Sequence, residues 1–113
     1  MSNSNKNDSV IILSRADILS FRGDVSQTIT KANALLEDHF SKRVEYTGFV
    51  VKCLCELLLS AYTLKEYLDI LFPDEKREYE APPQDLLKLT KVAAVMQEIR
   101  NDLVHQNISV AVH

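Results

Sequence analysis

Arg100-Asn101-Asp102-Leu103-Val104-His105 is the one local pattern in this chain whose residue types and spacing point to chemistry. An arginine is always charged, and its planar fork matches phosphate oxygens. A histidine near its unperturbed pKa of about 6.5 exchanges a proton near neutral pH. Together they suit cleavage of a phosphodiester without a metal ion. The imidazole would activate a ribose 2′-OH or protonate the leaving 5′-oxygen, and the guanidinium would hold charge on the phosphorane. One histidine does not easily serve both proton transfers. Two copies of the motif meeting across a two-fold axis would supply both. Asn directly after the Arg lowers the chance occurrences expected for the bare spacing from roughly 0.13 to roughly 0.007.

The elements that position these residues are helices. Leu86, Leu89, Val92, Met96, Ile99 and Leu103 recur at three- and four-residue spacing, which predicts a helix from Gln84 or Asp85 to His105 or Gln106. On that helix Arg100 falls at the edge of the apolar stripe, and His105 points nearly opposite the stripe, about 140° from Arg100. Gln97, Asn101 and His105 form a polar row at i, i+4 and i+8, with small Ala94 beside its start, and Asp102 stands three residues before His105. Arg100, Asn101 and His105 are the candidate catalytic residues. Gln97 and Asp102 are the candidate substrate contacts.

Earlier in the chain, residues 1–8 are polar and predict a flexible tail. A first helical region is expected from near Ser9 or Ser14; Ser14-Arg-Ala-Asp17 has the form of a capping box with Asp in place of Glu. The run Val10-Ile-Ile-Leu13 before it reads as a short strand or as an apolar lead-in to the helix. Val25, Ile29, Ala32, Leu36 and Phe40 then mark one helical face, with Gly23 as a point of bending or division and Lys42-Arg43 as the helix end. A second helix is expected from about Glu45 to Leu71. Its stripe of Leu54, Leu57, Leu58, Ala61, Leu64, Leu68 and Leu71 is wide enough to touch two neighbours and favours dimerisation; Pro73 stops it. Asp74 to Pro83 reads as a charged linker. The tail Ile108–His113 has strand-like composition and is expected to dock on the bundle, pair with a partner chain, or be cut short. The fold expected is all-α, an antiparallel bundle of three to five helices over residues 9–107, flanked by tails 1–8 and 108–113.

Composition removes other classes. With 113 residues there is room for one domain, and two Gly and three Pro are too few for a turn-rich β-sandwich. There is no glycine-rich phosphate loop. A net charge of −3 disfavours a generic basic nucleic-acid binder and leaves open a local track from Lys42, Arg43, Lys88 and Lys91. Cys53 and Cys55 are the only thiols; two apart on a helix they diverge, so they are expected as free thiols in a reducing compartment. Two sulfurs do not complete a zinc site, and Glu37-Asp38-His39 reads as a solvated helix end, with Glu37 or Asp38 near enough to approach the Arg–His cleft. No metal and no cofactor are expected. The N-terminus lacks a signal-peptide pattern, and the most apolar stretch, Gly48–Leu64, is interrupted by Lys52 and Glu56, so a cytoplasmic protein without a membrane span is expected.

Arg100-Asn-Asp-Leu-Val-His105, late in a small all-α chain, resembles the defining motif of HEPN domains (higher eukaryote and prokaryote nucleotide-binding), in which Arg is followed after four to six residues by His. The resemblance covers approximately residues 14–107, by motif in the hexamer and by pattern elsewhere. It implies a homodimer whose two motifs form one composite cleft, with RNA as substrate and metal-independent endoribonuclease activity of the kind found in toxin–antitoxin and phage-defence systems. It also implies a cognate antitoxin or nucleotidyltransferase as candidate partner. By this carry-over Arg100 and His105 are catalytic and Asn101 orients the pair or the phosphate. Other members are non-catalytic interaction or RNA-binding modules, which is the alternative reading; a regulator binding nucleotide in the same cleft is a third. Two departures stand out. Where HEPN toxins paired with a minimal nucleotidyltransferase carry a modified Tyr two positions after the His, this chain has Asn107, so that modification is not expected. A further helix usually follows the motif; here it is expected to be missing or replaced by the apolar tail, freeing a surface for a partner.

Overall fold

Ser14 opens the first helix as its N-cap: its Oγ accepts from the Asp17 N–H (3.2 Å) and donates to Asp17 Oδ2 (2.8 Å), so the Asp17 carboxylate meets the Ser14 hydroxyl where a full capping box would meet the backbone N–H. A computed structural model of the chain describes residues 11–73 and 79–110. In chain order these form strand β1 (Ile11–Leu13), helix α1 (Arg15–Phe40), helix α2 (Gly48–Leu71), strand β2 (Tyr79–Ala81) and helix α3 (Pro83–His105). The expected flexible tail at residues 1–8 lies outside the described residues, as do 74–78 of the expected linker and 111–113 of the C-terminal tail.

The three helices form an all-α bundle running up, down and up. The main contacts are α1 on α2 and α2 on α3, which makes α2 the middle helix. The wide stripe of α2 is therefore covered from both sides within one chain: Leu54, Leu57, Ala61, Leu64 and Leu68 are all buried. Its width is accounted for by two intrachain neighbours and carries no argument for a dimer. From α1 the core receives Ile18, Val25, Ala32 and Leu36, and from α3 it receives Met96, Ile99 and Leu103. Phe40, expected on the same face as Val25, is 69% exposed, and Thr28 takes a fully buried position on that face instead.

Three boundaries differ from expectation for identifiable reasons. Gly23 does not divide α1, which continues unbroken through it. The second helix starts at Gly48, not Glu45, because α1 ends in a left-handed residue: Lys42 has φ 65°, its N–H bonds His39 O and that of Arg43 bonds Asp38 O. Residues 43–47 then cross between the helices, and Thr47 caps α2 by accepting from the Val50 N–H. The linker holds β2, which pairs antiparallel with β1 (Ile12 opposite Glu80), so Ile11–Leu13 realises the strand reading. The described part of the C-terminal tail docks on the bundle, with Ile108 half-buried and Val110 fully buried.

One ion pair ties the start of α1 to the end of α2. Arg22 donates to Asp69 Oδ1 (2.6 Å) and to the carbonyl oxygens of Leu68 (3.3 Å) and Phe72 (2.8 Å). It thus satisfies the Phe72 carbonyl, adds a second donor to the Leu68 carbonyl that already accepts from the Phe72 N–H, and sets a cation against the helix dipole. The bond from Arg22, reinforced by one from Lys65 (3.3 Å), holds the Asp69 carboxyl below its ordinary pKa of 3.8. A carboxylate depressed in the folded state stabilises fully above its unfolded pKa and loses that contribution as pH falls through the folded value. The stability gap between the wild type and Asp69→Asn, read by urea denaturation, should therefore stay constant from neutrality to about pH 5 and close below about pH 4. A gap that persists unchanged in acid would contradict the pairing.

Candidate functional site

Helix α3 presents three faces, and the motif residues divide among them. Met96, Ile99 and Leu103 face the core. Arg100, one residue beyond Ile99, turns toward α1 and is buried, with 9% of its side chain exposed. Asn101 and His105 are exposed on the outward side. Five helical steps lead from Arg100 to His105, about 7.5 Å of axial rise as well as about 140° of rotation. Within one chain the guanidinium and the imidazole therefore do not converge.

Arg100 is fixed by four hydrogen bonds. Nη1 donates to Asp24 Oδ1 (2.8 Å) and to Thr28 Oγ1 (3.1 Å). Nη2 donates to Gln97 Oε1 (2.6 Å) and to Asp24 Oδ2 (3.5 Å). Thr28 accepts because its own hydroxyl hydrogen is committed to the Asp24 carbonyl (2.9 Å). Only the Nε–H is buried without a partner. A buried guanidinium requires a counter-charge, which Asp24 provides, and acceptors, which Asp24, Thr28 and Gln97 provide for the Nη donors.

The network reaches the surface. An arginine can only donate, so the Gln97 atom facing it must be the carbonyl oxygen. That orients the Gln97 Nε2 toward Asn101, and it donates to Asn101 Oδ1 (3.1 Å). With its oxygen engaged, Asn101 turns its Nδ2 donor to solvent, one helical turn from His105. The row Gln97, Asn101, His105 is thus a row of exposed polar residues, and the first two are hydrogen-bonded to each other. Asp102 stands on the opposite side of α3 from Arg100, in a groove shared with Glu56 of α2.

A cleft of about 590 Å³ between α1 and α3 is lined by Asp17, Ser20, Asp24, Gln27, Gln97 and Arg100. Its two carboxylates against one guanidinium make it a poor host for phosphate, and His105 is not part of it. Asp24 is the residue that sequence reasoning missed. Glu37 and Asp38 do not meet Arg100; Asp38 lies near Arg43 (3.7 Å). The available signal was Thr28, a hydroxyl on the apolar face between Val25 and Ala32, one turn after an aspartate.

His39 accepts from the Tyr46 N–H through Nδ1 (3.0 Å) and stacks on the Tyr46 ring, so it closes the α1–α2 connection. Among the described residues no group of three or more His, Cys, Asp or Glu is placed to hold a metal ion, and no helix is long and apolar enough to cross a membrane. Both thiols are free, Cys53 buried and Cys55 exposed. Burial pushes the Cys53 thiol above its ordinary pKa of 9.0; Asp102 and Glu56 push it further, and Lys52 opposes them. No protein-family model, no curated protein and no solved structure matches the chain.

Two outcomes follow from this geometry. Asp24→Ala strands a buried guanidinium and should cost about 3–5 kcal/mol in chemical denaturation, whereas Arg100→Met removes the charge, keeps most of the volume and should cost less than half as much. Equal costs would show that the charge is not desolvated. In native protein, iodoacetamide should label Cys55 and spare Cys53 until the chain unfolds; equal labelling of both would contradict the burial of Cys53.

Proposed function

We propose that this chain is a HEPN-type domain that cleaves RNA as a homodimer, without a metal ion. The observation that carries the reading is the shared exposure of Asn101 and His105, one turn apart on α3, with Asn101 oriented from beneath by Arg100 through Gln97. An imidazole acting alone needs an internal nucleophile in its substrate, and the ribose 2′-OH supplies one where DNA does not. In this reading His105 of one subunit takes the 2′-OH proton as that oxygen attacks phosphorus. His105 of the other gives a proton to the departing 5′-oxygen, leaving a 2′,3′-cyclic phosphate and a 5′-hydroxyl. Asn101 donates to the phosphate. Arg100 is a positioning residue, since its four outer bonds are already made and its charge is offset by Asp24.

In this reading Lys42, Arg43 and Lys52, toward the end of the bundle that carries His105, offset the carboxylates of Glu56, Glu98 and Asp102 there as RNA approaches. Lys88 and Lys91 lie further toward the other end and do not extend that track. A second reading, a non-catalytic helical interaction or RNA-binding module, is favoured by one specific observation: both terminal nitrogens of Arg100 are occupied inside the fold. A cognate antitoxin or nucleotidyltransferase partner belongs to either reading.

Incubation with single-stranded RNA in the presence of a chelator decides between them. The wild type should yield cyclic-phosphate ends, His105→Ala should lower the rate by about 10²–10⁴-fold, and a 2′-deoxy substrate should resist. Cleavage that survives His105→Ala, or that needs added metal, contradicts the proposal. RNA bound but uncut by the wild type supports the second reading.

A further inference from the structure

A groove of about 620 Å³ runs along the seam of α2 and α3, on the side of α3 away from Arg100. Its apolar surface comes from Leu59 of α2 and Val92, Val95 and Ile99 of α3. Leu59 is 70% exposed and Val95 48% exposed, so neither is used by the fold. The two hydroxyls in the groove donate to carbonyls of their own helix: Ser60 to Leu57 O (2.9 Å) and Thr63 to Leu59 O (2.8 Å). The groove therefore asks for apolar side chains and offers no hydroxyl to be satisfied.

Its charge is polarised along its length. Because α2 and α3 are antiparallel, Glu56 from the first half of α2 lies at the same end as Glu98 and Asp102 from the second half of α3. Lys91 stands toward the other end, near Thr63. The field at the acidic end is felt beneath it, where Asp102 and Glu56 both add to the upward shift of the buried Cys53 thiol. A second copy of this chain is a poor occupant, since an antiparallel pairing sets only one lysine against three carboxylates at each end and a parallel pairing sets the carboxylates against one another.

We infer that this groove docks an amphipathic helix of a protein partner, with two or three apolar residues at i, i+3 or i+4 spacing in the trough and arginines or lysines at the acidic end. Helix-in-groove recognition needs these two features together, an apolar trough and a charge that sets direction. The inference stands on α2 and α3 alone and does not depend on the RNA-cleaving reading.

The test uses the full chain and a synthetic helical peptide with leucines at i, i+3, i+4 and i+7 and arginines clustered at one end. Binding should shift the methyl resonances of Leu59, Val95 and Ile99 in NMR spectra. Affinity should fall tenfold or more with Leu59→Lys and with Glu56→Lys/Glu98→Lys. These are exposed positions, and circular dichroism checks that the fold is kept. A peptide with glutamates in place of the arginines should not bind. No binding, or binding indifferent to both variants, overturns the inference. So does self-association of the chain that Leu59→Lys abolishes, because the occupant is then a second copy.

Discussion

The pairing of Arg100 with Asp24 is the interaction on which this architecture turns. It joins α1 to α3, the two helices that share the least packing, at a point 76 residues apart in sequence. A guanidinium placed at the edge of an apolar stripe has two options: it reaches for water, or it finds a counter-charge inside. Asp24 takes the second option, and Thr28 and Gln97 complete the set of acceptors. A buried ion pair of this kind adds little net stability over an apolar isostere, but losing one partner is costly, so it fixes the rotation of α3 against α1. That rotation decides which residues face outward.

The consequence for function is a separation of roles along one helix. Residues facing α2 form the core, Arg100 faces α1, and Asn101 and His105 are left for solvent or a second subunit. The end of α3 is fixed as firmly as its rotation. Asn107 adopts φ 63°, its N–H bonds Val104 O, and the Ile108 N–H bonds Leu103 O, which closes the helix directly after His105. Asn tolerates this left-handed position better than most residues, which gives a local structural reason for Asn107. The turn also sends Ile108 and Val110 back onto the bundle.

Much of this was legible before the fold was known, where the signal was local. Ser14 with Asp17 announced a helix start, Pro73 a helix end, and the spacing from Leu86 to Leu103 the core face of α3. The exposure of His105 followed from helix geometry alone. What escaped was non-local or conformational. Asp24 is an ordinary surface carboxylate until α3 is laid across it, so no window around it reveals the pairing. The strand at Tyr79–Ala81 forms only because Ile11–Leu13 lies opposite, and three residues carry no periodicity of their own. Lys42 in a left-handed turn has none of the usual glycine signature, which displaced the start of α2. The wide stripe of α2 was legible as wide, but whether one chain or two would cover it is a question of topology.

The nuclease account requires that two outward faces of α3 meet. The most direct measurement is the separation of the two His105 imidazoles in a crystal structure of the homodimer. The account predicts rings on either side of one shared groove, each able to lie about 3 Å from an oxygen of the same phosphodiester. Imidazoles on remote flanks of the assembly with no common cleft, or a chain that remains a monomer, would contradict it.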